Sequence, residues 1–532
     1  MSRQPSAWIR HQEVAGAPSG PLAGLRFAVK DNIDVAGIAT TAADPRRTTP
    51  ATDSAYAVQR LLDAGATVVG KTNMDQYATG LVGTRSPYGT CHAVDSPEHV
   101  SGGSSSGSGV VVANGEVDFA LGTDTAGSGR VPAAFNGIIG IKPSRGLVST
   151  VGVIPACRSL DCVTVFGRDL STARAVFEVM SEYDPTDPYA RQLVQRSVSS
   201  GRPRIGIPIG ALDLEPTHEE AWQKTLTDAA QVADLVAVDV TLLLEAAALL
   251  YTGPWVAERH LAFGEALDDD PAVDPTVRAI VTAGREITAR EAYAAFERLA
   301  SLTRASERIW EGIDALLLPV TREHPTLEAV ASDPIGVNTR LGRFTNMTNL
   351  LDLCAVAFPG RRRDDGLPFG VQLLAPAGSD DVVQAIAAEL LGEPRPVLPS
   401  AGVAIAVAGA HLAGQPLNAD LVARGGRFVR ATRTAADYRM FDVDGPVPRP
   451  GVTRVRGGYP DSSGIEVEVW DLPKNALAGF AATILPPLAL GPLRLEDDST
   501  VLGFVCTADG ADPARDISNF GGWRSYLART AG

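Results

Sequence analysis

Residues 100–150 read VSGGSSSGSGVVVANGEVDFALGTDTAGSGRVPAAFNGIIGIKPSRGLVST. Two segments of this stretch, 102–109 and 123–129, are dense in glycine and serine, and an apolar segment separates them. Glycine lets backbones approach closely, and a serine hydroxyl becomes a nucleophile when a base lies within reach. A flexible linker is the alternative, but linkers do not lie between apolar core segments. We therefore expect two exposed serine loops flanking one buried segment.

The length and charge of the chain narrow the classes of protein to consider. A chain of 532 residues exceeds the usual size of one domain, so at least two are expected. Its net charge of −15 argues against nonspecific binding to nucleic acid or to anionic membranes. Five cysteines without paired spacing indicate neither a disulfide framework nor a zinc site. With no apolar run or leader pattern, we expect a cytoplasmic protein.

Strand and helix patterns alternate through most of the chain. Short apolar runs at 25–30 and 66–70 predict strands, and the apolar spacing at 55–64 predicts a helix between them. This strand–helix–strand order is typical of an α/β domain, in which side chains project from the ends of the strands. Residues 1–20 are polar and contain glycine and proline, so they predict a loose N-terminal arm.

A change in the predicted secondary structure marks a second domain. The proline-rich segment EPRPVLPS, residues 393–400, predicts a boundary, and period-two alternation with few helical patterns follows it. We therefore predict an α/β domain over 1–395, a linker over 396–402, and a smaller β-rich α+β domain over 403–532.

A serine nucleophile needs a neighbouring base to take its proton. Only five of the 47 basic residues are lysines, so each retained lysine is a candidate for a role that arginine cannot fill. Lysine loses its proton when it is desolvated, whereas arginine stays charged. Lys30 ends an apolar strand and ranks first as the base, and Lys71 ranks second. A charge that reaches solvent at a strand end is the alternative for either residue.

Three motifs resemble the amidase signature family: AVKDNID at 28–34, GGSSSGSG at 102–109 and GTDTAGSGR at 122–130. Ser104 precedes Ser128 by the family's spacing of 24 residues. The resemblance covers about residues 20–395 and implies the amidase-signature fold, a mixed sheet covered by helices. It also implies a Ser-Ser-Lys triad, with Ser128 as nucleophile, Ser104 as proton relay on a cis peptide bond, and Lys30 as base.

The second serine loop also offers donors for an oxyanion hole. The backbone N–H groups of Thr125, Ala126, Gly127 and Ser128 follow one another there, beside the implied nucleophile. Donors of this kind stabilise the negative charge of a tetrahedral intermediate. We expect Thr125, Ala126 and Gly127 to serve in that role.

Within the family, five segments resemble the allophanate hydrolases; they lie at 71–89, 125–130, 251–263, 406–418 and 514–527. By that resemblance, Tyr251 and Arg259 bind the substrate, and the planar guanidinium of Arg259 matches a carboxylate. Without the resemblance, Arg259 would be taken for a surface charge and Tyr251 for a core or interface residue. The related C-terminal domain is implicated in decarboxylation, which makes His411 a candidate there. A histidine with only a structural role is equally compatible with the sequence.

The resemblance implies hydrolysis of allophanate to ammonia and carbon dioxide, without metal or organic cofactor, in urea or guanidine nitrogen assimilation. It also implies functional coupling to a urea carboxylase, the usual source of allophanate. Alternatives are a broad-specificity aliphatic amidase, the glutaminase subunit of a transfer-RNA amidotransferase, and a non-enzymatic binding protein. The last would tolerate losses in the triad, and none is lost. The oligomeric state stays open, with a homodimer as one arrangement.

Overall fold

The computed structural model describes residues 4–193, 202–267, 272–394, 402–445, 447–455 and 463–530. These residues fall into two compact units, the first built from residues up to 394 and the second from residue 402 onward. Of the linker predicted over 396–402, only Gly402 belongs to the described residues. The domain boundary therefore stays a prediction.

The strands of the first unit form one large sheet and one short ribbon. Its strands are β1 (Trp8–Val14), β2 (Arg26–Lys30), β3 (Thr67–Thr72), β4 (His92–Ala93), β5 (Ser96–Val100), β6 (Phe119–Asp124), β7 (Ile139–Lys142), β8 (Cys162–Gly167), β9 (Arg204–Pro208), β10 (Asp234–Val238), β11 (Ala315–Pro319), β12 (Leu353–Pro359) and β13 (Gly370–Pro376). β4 and β5 form a ribbon, and the other eleven form one sheet in the order β1-β3-β2-β6-β8-β7-β12-β13-β11-β9-β10. Parallel and antiparallel pairs both occur in this sheet, so the predicted mixed sheet is confirmed.

Helices accompany the sheet of the first unit. They are α1 (Tyr56–Asp63), α2 (Ser106–Ala113), α3 (Val131–Asn136), α4 (Leu170–Met180), α5 (Pro216–Val232), α6 (Thr241–Thr252), α7 (Trp255–Phe263), α8 (Pro275–Thr282), α9 (Ala289–Ser306), α10 (Leu327–Ser332), α11 (Gly336–Leu341), α12 (Asn346–Leu350) and α13 (Asp380–Leu391). Short 3₁₀ turns lie at Pro5–Ala7, Gln76–Ala78, Gly264–Leu267, Ala283–Glu286 and Glu307–Glu311. α2 is buried along nearly its whole length, as expected of a helix without a polar face.

Three parallel strands of the first unit end at the same edge of the sheet. β2 lies between β3 and β6 and runs parallel to both. Lys30 stands opposite Thr72 in this register, and Val29 stands opposite Leu121. Because parallel strands present their carboxyl ends together, the segments that follow Lys30, Thr72 and Leu121 gather at one place.

The prediction of a loose arm over residues 1–20 was wrong for residues 8–14. Trp8–Val14 forms β1, an edge strand that pairs antiparallel with β3. Most of β1 is exposed on the sheet edge, so its sequence lacks the clean alternation that marks a half-buried strand. Trp8 anchors it by donating from Nε1 to Glu116 at 3.0 Å.

The serine segments are buried, contrary to the expectation of exposed loops. Ser104 has no exposed surface, and Ser128 is 4% exposed. The first segment is also shorter than predicted as a loop, since α2 begins at Ser106. A Cβ atom on Gly107 would lie 2.2 Å from the Ala7 carbonyl oxygen. The small residues therefore allow backbone to pack against backbone.

The second unit is β-rich, as predicted. Its strands are β14 (Val403–Val407), β15 (Arg427–Arg433), β16 (Tyr438–Val443), β17 (Arg449–Arg454), β18 (Glu466–Leu472), β19 (Leu488–Arg494) and β20 (Thr500–Cys506). Five of them form a sheet in the order β15-β18-β14-β20-β19, and β16 pairs with β17. Its helices and 3₁₀ turns are α14 (Asn418–Ala423), α15 (Lys474–Ala481), α16 (Trp523–Thr530), Ala508–Gly510, Pro513–Arg515 and Ser518–Phe520. Within the described ranges, no helix has the length and apolar character of a membrane span.

His324 gives the first unit a specific dependence on pH. Its Nε2 donates to the Val100 carbonyl oxygen at 2.9 Å, and its ring stacks on Phe135 with centroids 3.9 Å apart. Burial is the main reason that the pKa of His324 falls from 6.5 to about 3. The unfolded chain therefore binds a proton here at pH values where the folded chain does not, and stability falls as the pH drops below about 6.5.

We predict that His324→Gln reduces this acid sensitivity, because the glutamine amide still donates a hydrogen bond but does not titrate. Wild-type protein should lose about 2 kcal/mol more stability than the variant between about pH 7.5 and about pH 5. Urea unfolding of both proteins at the two pH values measures the difference. Equal losses would contradict the prediction.

Candidate active site

Lys30, Ser104 and Ser128 form a continuous chain of hydrogen bonds. Lys30 Nζ donates to Ser104 Oγ at 2.8 Å, and Ser104 Oγ donates to Ser128 Oγ at 2.9 Å. Lys30 is the last residue of β2, Ser104 follows a cis peptide bond before α2, and Ser128 lies between β6 and α3. The structure thus brings together the three residues of the implied triad, at distances over which protons can pass.

Lys30 is fully buried, and its surroundings change its acidity. Burial lowers the pKa of Lys30 from 10.5 to about 7, because the charged ammonium loses its water. The carboxylates of Asp75, Asp161 and Asp124 partly oppose this shift. A large fraction of Lys30 is therefore a neutral amine at neutral pH, and only this form can take a proton from a hydroxyl.

Thr123 holds the other side of the Lys30 amine. Lys30 Nζ donates to Thr123 Oγ1 at 2.7 Å, and Asn32 Nδ2 donates to the same oxygen at 3.3 Å. Thr123 lies on β6, the parallel neighbour of β2, so strand register sets this contact. With one N–H engaged by Thr123, the neutral amine has a defined orientation toward Ser104.

The loop that carries Ser128 is wrapped around the carboxylate of Asp124. The backbone N–H groups of Gly127 and Gly129 donate to it at 2.8 and 3.0 Å. Arg130 donates to it from Nε at 2.9 Å and from Nη2 at 3.0 Å. Burial alone would raise the pKa of Asp124, but Arg130 and these hydrogen bonds lower it below its usual value. Asp124 is therefore an ionised centre that shapes the loop.

Arg130 connects the same loop to distant parts of the chain. Its Nη1 donates to Thr348 Oγ1 on α12 at 2.7 Å and to Gln372 Oε1 on β13 at 2.8 Å. Its Nη2 donates to the Thr345 carbonyl oxygen at 3.0 Å. The guanidinium is fully buried, so these partners replace the water that it has lost.

The predicted oxyanion hole is available only in part. The N–H of Gly127 already donates to Asp124. Gly127 also has φ +133°, and a Cβ atom there would lie 2.5 Å from Thr345 Oγ1, so glycine is required. For the N–H groups of Thr125, Ala126 and Ser128, no acceptor is found in the described part of the chain. These three N–H groups remain as candidate donors.

Asp161 anchors the start of this loop from the opposite side. Its carboxylate accepts from the Thr125 hydroxyl, and from the backbone N–H groups of Ala156 at 2.9 Å and Cys157 at 3.2 Å. Burial raises the pKa of Asp161 to about 6, and these hydrogen bonds and Arg259 partly oppose the rise. Asp161 is thus, after Lys30, a second group that titrates close to neutral pH.

Tyr251 and Arg259, the residues implied to bind substrate, lie on α6 and α7. Arg259 is 4% exposed, so it is not a surface charge. Its Nη1 donates to Thr79 Oγ1 at 3.0 Å, and its charge partly opposes the rise in the pKa of Asp161. Tyr251 is partly buried and packs against an apolar cluster that includes Ala126. Both side chains therefore belong to the surroundings of the second serine loop.

Lys71, the second candidate for the base, has a different partner. Its Nζ lies 3.2 Å from Asp31 Oδ1 and donates to Thr40 Oγ1 at 3.1 Å. Both members of this ion pair are fully buried. Burial lowers the pKa of Lys71 and raises that of Asp31. The structure therefore places Lys71 in a buried ion pair, whereas Lys30 contacts the serines.

His411 lies in the second unit, after β14. Its ring packs against those of Phe480 and Phe504, with centroids 5.3 and 5.2 Å away. A small cavity of about 50 Å³ is lined by His411, Arg449 and Phe504, among others. Burial lowers the pKa of His411. A cavity with a histidine and an arginine on its wall is compatible with a binding site, although aromatic packing also suits a structural histidine.

Several residues of the site were not found from the sequence, among them Thr79, Thr123, Asp124 and Asp161. The sequence did contain one indication of Asp124. Residues 119–136 contain only two charged side chains, Asp124 and Arg130, in a run of small and apolar residues. A lone acid and a lone base in such a run indicate a buried ion pair, because an unpaired buried charge is costly.

Comparisons with known proteins agree with this geometry. Residues 3–383 match the amidase family model, and residues 403–528 match the allophanate hydrolase C-terminal domain. The chain is 39% identical to the urea amidolyase of Saccharomyces cerevisiae over 95% of this chain and 30% of that protein. It is 31% identical to a glutamyl-tRNA(Gln) amidotransferase subunit of Haloarcula marismortui, over 71% of this chain and 98% of that protein.

A solved structure of high similarity is the allophanate hydrolase of Kluyveromyces lactis. The TM-score is 0.82 at 37% sequence identity, and the match covers 99% of this chain and 95% of that chain. The chain spans about a third of the length of the urea amidolyases that it matches. On the extent of the family match and the identity to these relatives, the chain belongs to the amidase family and carries an allophanate hydrolase C-terminal domain.

Proposed function

We propose that this chain hydrolyses allophanate to ammonia and carbon dioxide. The observation that carries the proposal is the hydrogen-bonded chain Lys30–Ser104–Ser128. The buried Arg259 acts on the charge of Asp161, which accepts a hydrogen bond from the loop that carries Ser128. Allophanate is a small anion with a primary amide at one end and a carboxylate at the other. A serine nucleophile suits the amide, and an arginine fork suits the carboxylate. Similarity to a urea amidolyase and an allophanate hydrolase over nearly the whole chain supports this choice.

In the first half-reaction, Ser128 Oγ attacks the terminal amide carbon. With Lys30 neutral and both hydroxyls rotated to donate toward it along the same contacts, Ser104 takes the proton of Ser128 and passes its own proton to the Lys30 amine. The oxyanion faces the N–H groups of Thr125, Ala126 and Ser128, and one such donor contributes about 3 kcal/mol to lowering the barrier. The relay then returns a proton to the nitrogen, the C–N bond breaks, and ammonia leaves an acyl-enzyme.

In the second half-reaction, water attacks the acyl-enzyme and releases N-carboxycarbamate. This product decomposes to a second ammonia and carbon dioxide. We propose that the second unit assists this decomposition through His411, in the cavity that it shares with Arg449. An arginine beside a histidine suits a small dianionic substrate.

The supply of allophanate and the place of the reaction extend the proposal. We propose functional coupling to an enzyme that carboxylates urea, because relatives of this chain are urea amidolyases. Cysteines without a disulfide pattern favour a reducing compartment, so we propose a cytoplasmic location.

The alternatives fit the chain less well. Similarity to the amidotransferase protein covers 71% of the chain, whereas similarity to the allophanate hydrolase covers 99%. A broad-specificity aliphatic amidase would use the same serines and lysine, but a neutral substrate would not require the buried Arg259 that contacts Thr79. Substrate preference therefore separates the two remaining hypotheses.

We predict that purified protein releases ammonia from allophanate and from malonamate in preference to biuret and a simple aliphatic amide. Ser128→Ala should abolish turnover, because the nucleophilic oxygen is lost. Ammonia assays on both proteins, with an exposed-residue variant such as His11→Asn as control, measure this. Equal turnover of simple amides would contradict the proposed substrate and leave the nucleophile assignment intact.

The pH dependence of the reaction should follow Lys30. Because the base must be neutral and burial lowers its pKa to about 7, kcat/KM should rise with pH and level off above about pH 8. Steady-state kinetics from about pH 5.5 to about pH 9 measure the midpoint. Lys30→Arg should be inactive at every pH, since arginine keeps its proton.

A control is needed because the pKa of Asp161 also lies near neutral, at about 6. Asp161→Asn removes that titration and one negative charge near Lys30, so the midpoint should move to lower pH or stay. A midpoint that disappears in Asp161→Asn would assign the profile to Asp161 and contradict the role of Lys30.

His411→Asn should leave the release of the first ammonia at the wild-type rate and slow the formation of the second ammonia and of carbon dioxide. The physical reason is that the amide is cleaved at Ser128, in the other unit. Time courses of ammonia and carbon dioxide, compared with those of His11→Asn, measure the two steps. Loss of the first step in His411→Asn would overturn this division of labour.

A further inference from the structure

A turn with unusual backbone geometry lies between the proton-relay serine and the arginine of the candidate substrate site. It comprises residues 75–79, in which Tyr77 and Ala78 have φ of 51° and 52°. Such values are costly for residues other than glycine, so the surroundings must hold the turn in place. The N–H of Asp75 donates to the Ser104 carbonyl oxygen at 3.1 Å, and the N–H of Tyr77 donates to the Ala42 carbonyl oxygen at 2.9 Å.

Thr79 closes the turn, and its side chain faces Arg259. It is 1% exposed, and its Oγ1 accepts from Arg259 Nη1 at 3.0 Å. The Thr79 hydroxyl donates its one proton to the Tyr77 carbonyl oxygen at 3.2 Å. The Thr79 carbonyl oxygen accepts from Arg85 Nη1 at 2.9 Å. Thr79 is therefore held on both sides and presents an oxygen lone pair to the guanidinium.

The same turn touches α7 at a second point. The ring of Tyr77 stacks on that of Phe263, with centroids 4.6 Å apart and planes inclined by 16°. Phe263 follows Arg259 by four residues on α7, so both lie on one face of the helix. One turn thus contacts one helix face through a stacked ring pair and a hydrogen bond, and its other end is tied to Ser104.

We propose that Thr79 is a specificity-determining positioning residue, which fixes the plane of the Arg259 guanidinium for the carboxylate of the substrate. The guanidinium is rigid and planar, so holding one N–H orients the other four. Thr79 does not touch the substrate, and its effect passes through Arg259. This inference rests on the proposed function, because only an anionic substrate benefits from an oriented arginine.

The test compares Thr79→Val, which keeps the shape but loses the acceptor, with Thr79→Ser, which keeps the acceptor. Substrates are malonamate, an anionic amide, and propionamide, its neutral counterpart. Thr79→Val should raise KM for malonamate about tenfold or more with kcat changed less than about threefold, since a hydrogen bond to a charged group is lost. Propionamide kinetics should not change, and Thr79→Ser should restore KM to within about threefold of the wild-type value.

A double-mutant cycle distinguishes positioning from a structural role. In an Arg259→Met background, Thr79→Val should have no further effect on the kinetics with malonamate, because its only route is removed. Equal losses with both substrates, an unchanged KM, or the same Thr79→Val effect without Arg259 would each overturn the inference. If Thr79→Val does not fold, Thr79→Ala takes its place in the same comparisons.

Failure of the proposed function gives a different result. Wild-type protein that turns over propionamide as well as malonamate would overturn the proposed function itself, whatever the variants do. Wild-type protein that prefers malonamate, with a Thr79→Val variant that keeps this preference, would overturn only the role of Thr79.

Discussion

The buried ion pair between Asp124 and Arg130 is the interaction on which the geometry of the candidate site depends. Neither charge reaches solvent, and each would be costly to bury alone. The Asp124 carboxylate accepts hydrogen bonds from the backbone of its own loop. Arg130 also donates hydrogen bonds to side chains on α12 and β13. Removing one partner of such a pair typically costs about 3–5 kcal/mol, because the other charge is left uncompensated. The position of Ser128 is therefore set by electrostatics.

The same exclusion of water sets the chemistry of Lys30. An ammonium without water is unstable, which moves the pKa of Lys30 to about 7, and the nearby carboxylates keep it from falling further. Asp124 thus has two effects, since it shapes the loop that carries Ser128 and also acts on the charge of Lys30. Thr123 and Ser104 fix the Lys30 amine between two hydroxyl oxygens, so its orientation follows from the parallel register of β2 and β6.

Much of the fold and part of the candidate site could be predicted from local patterns. Apolar runs at the positions of β2, β3 and α1 were enough to indicate the α/β domain, and period-two alternation indicated the β-rich unit. β1 was missed because an exposed edge strand takes its stability from backbone pairing, which leaves little trace in side-chain polarity. The buried state of the serine segments was also missed, since small polar residues are common both in exposed loops and where backbones pack closely.

The amino-acid sequence alone was sufficient for the fold class and for the family resemblance, because the motifs that carry the resemblance are short and continuous in the chain. Through that resemblance it also made Lys30, Ser104 and Ser128 candidates for the site. Only the tertiary structure decided which partner each side chain has. In it, Lys71 forms an ion pair with Asp31, the N–H of Gly127 donates to Asp124, and Arg259 donates to Thr79. The contacts of Lys30 with Ser104 and of Arg130 with Gln372 span 74 and 242 residues. Partners so far apart leave no periodic signal in the chain, and they meet only when strand register and helix packing bring them together.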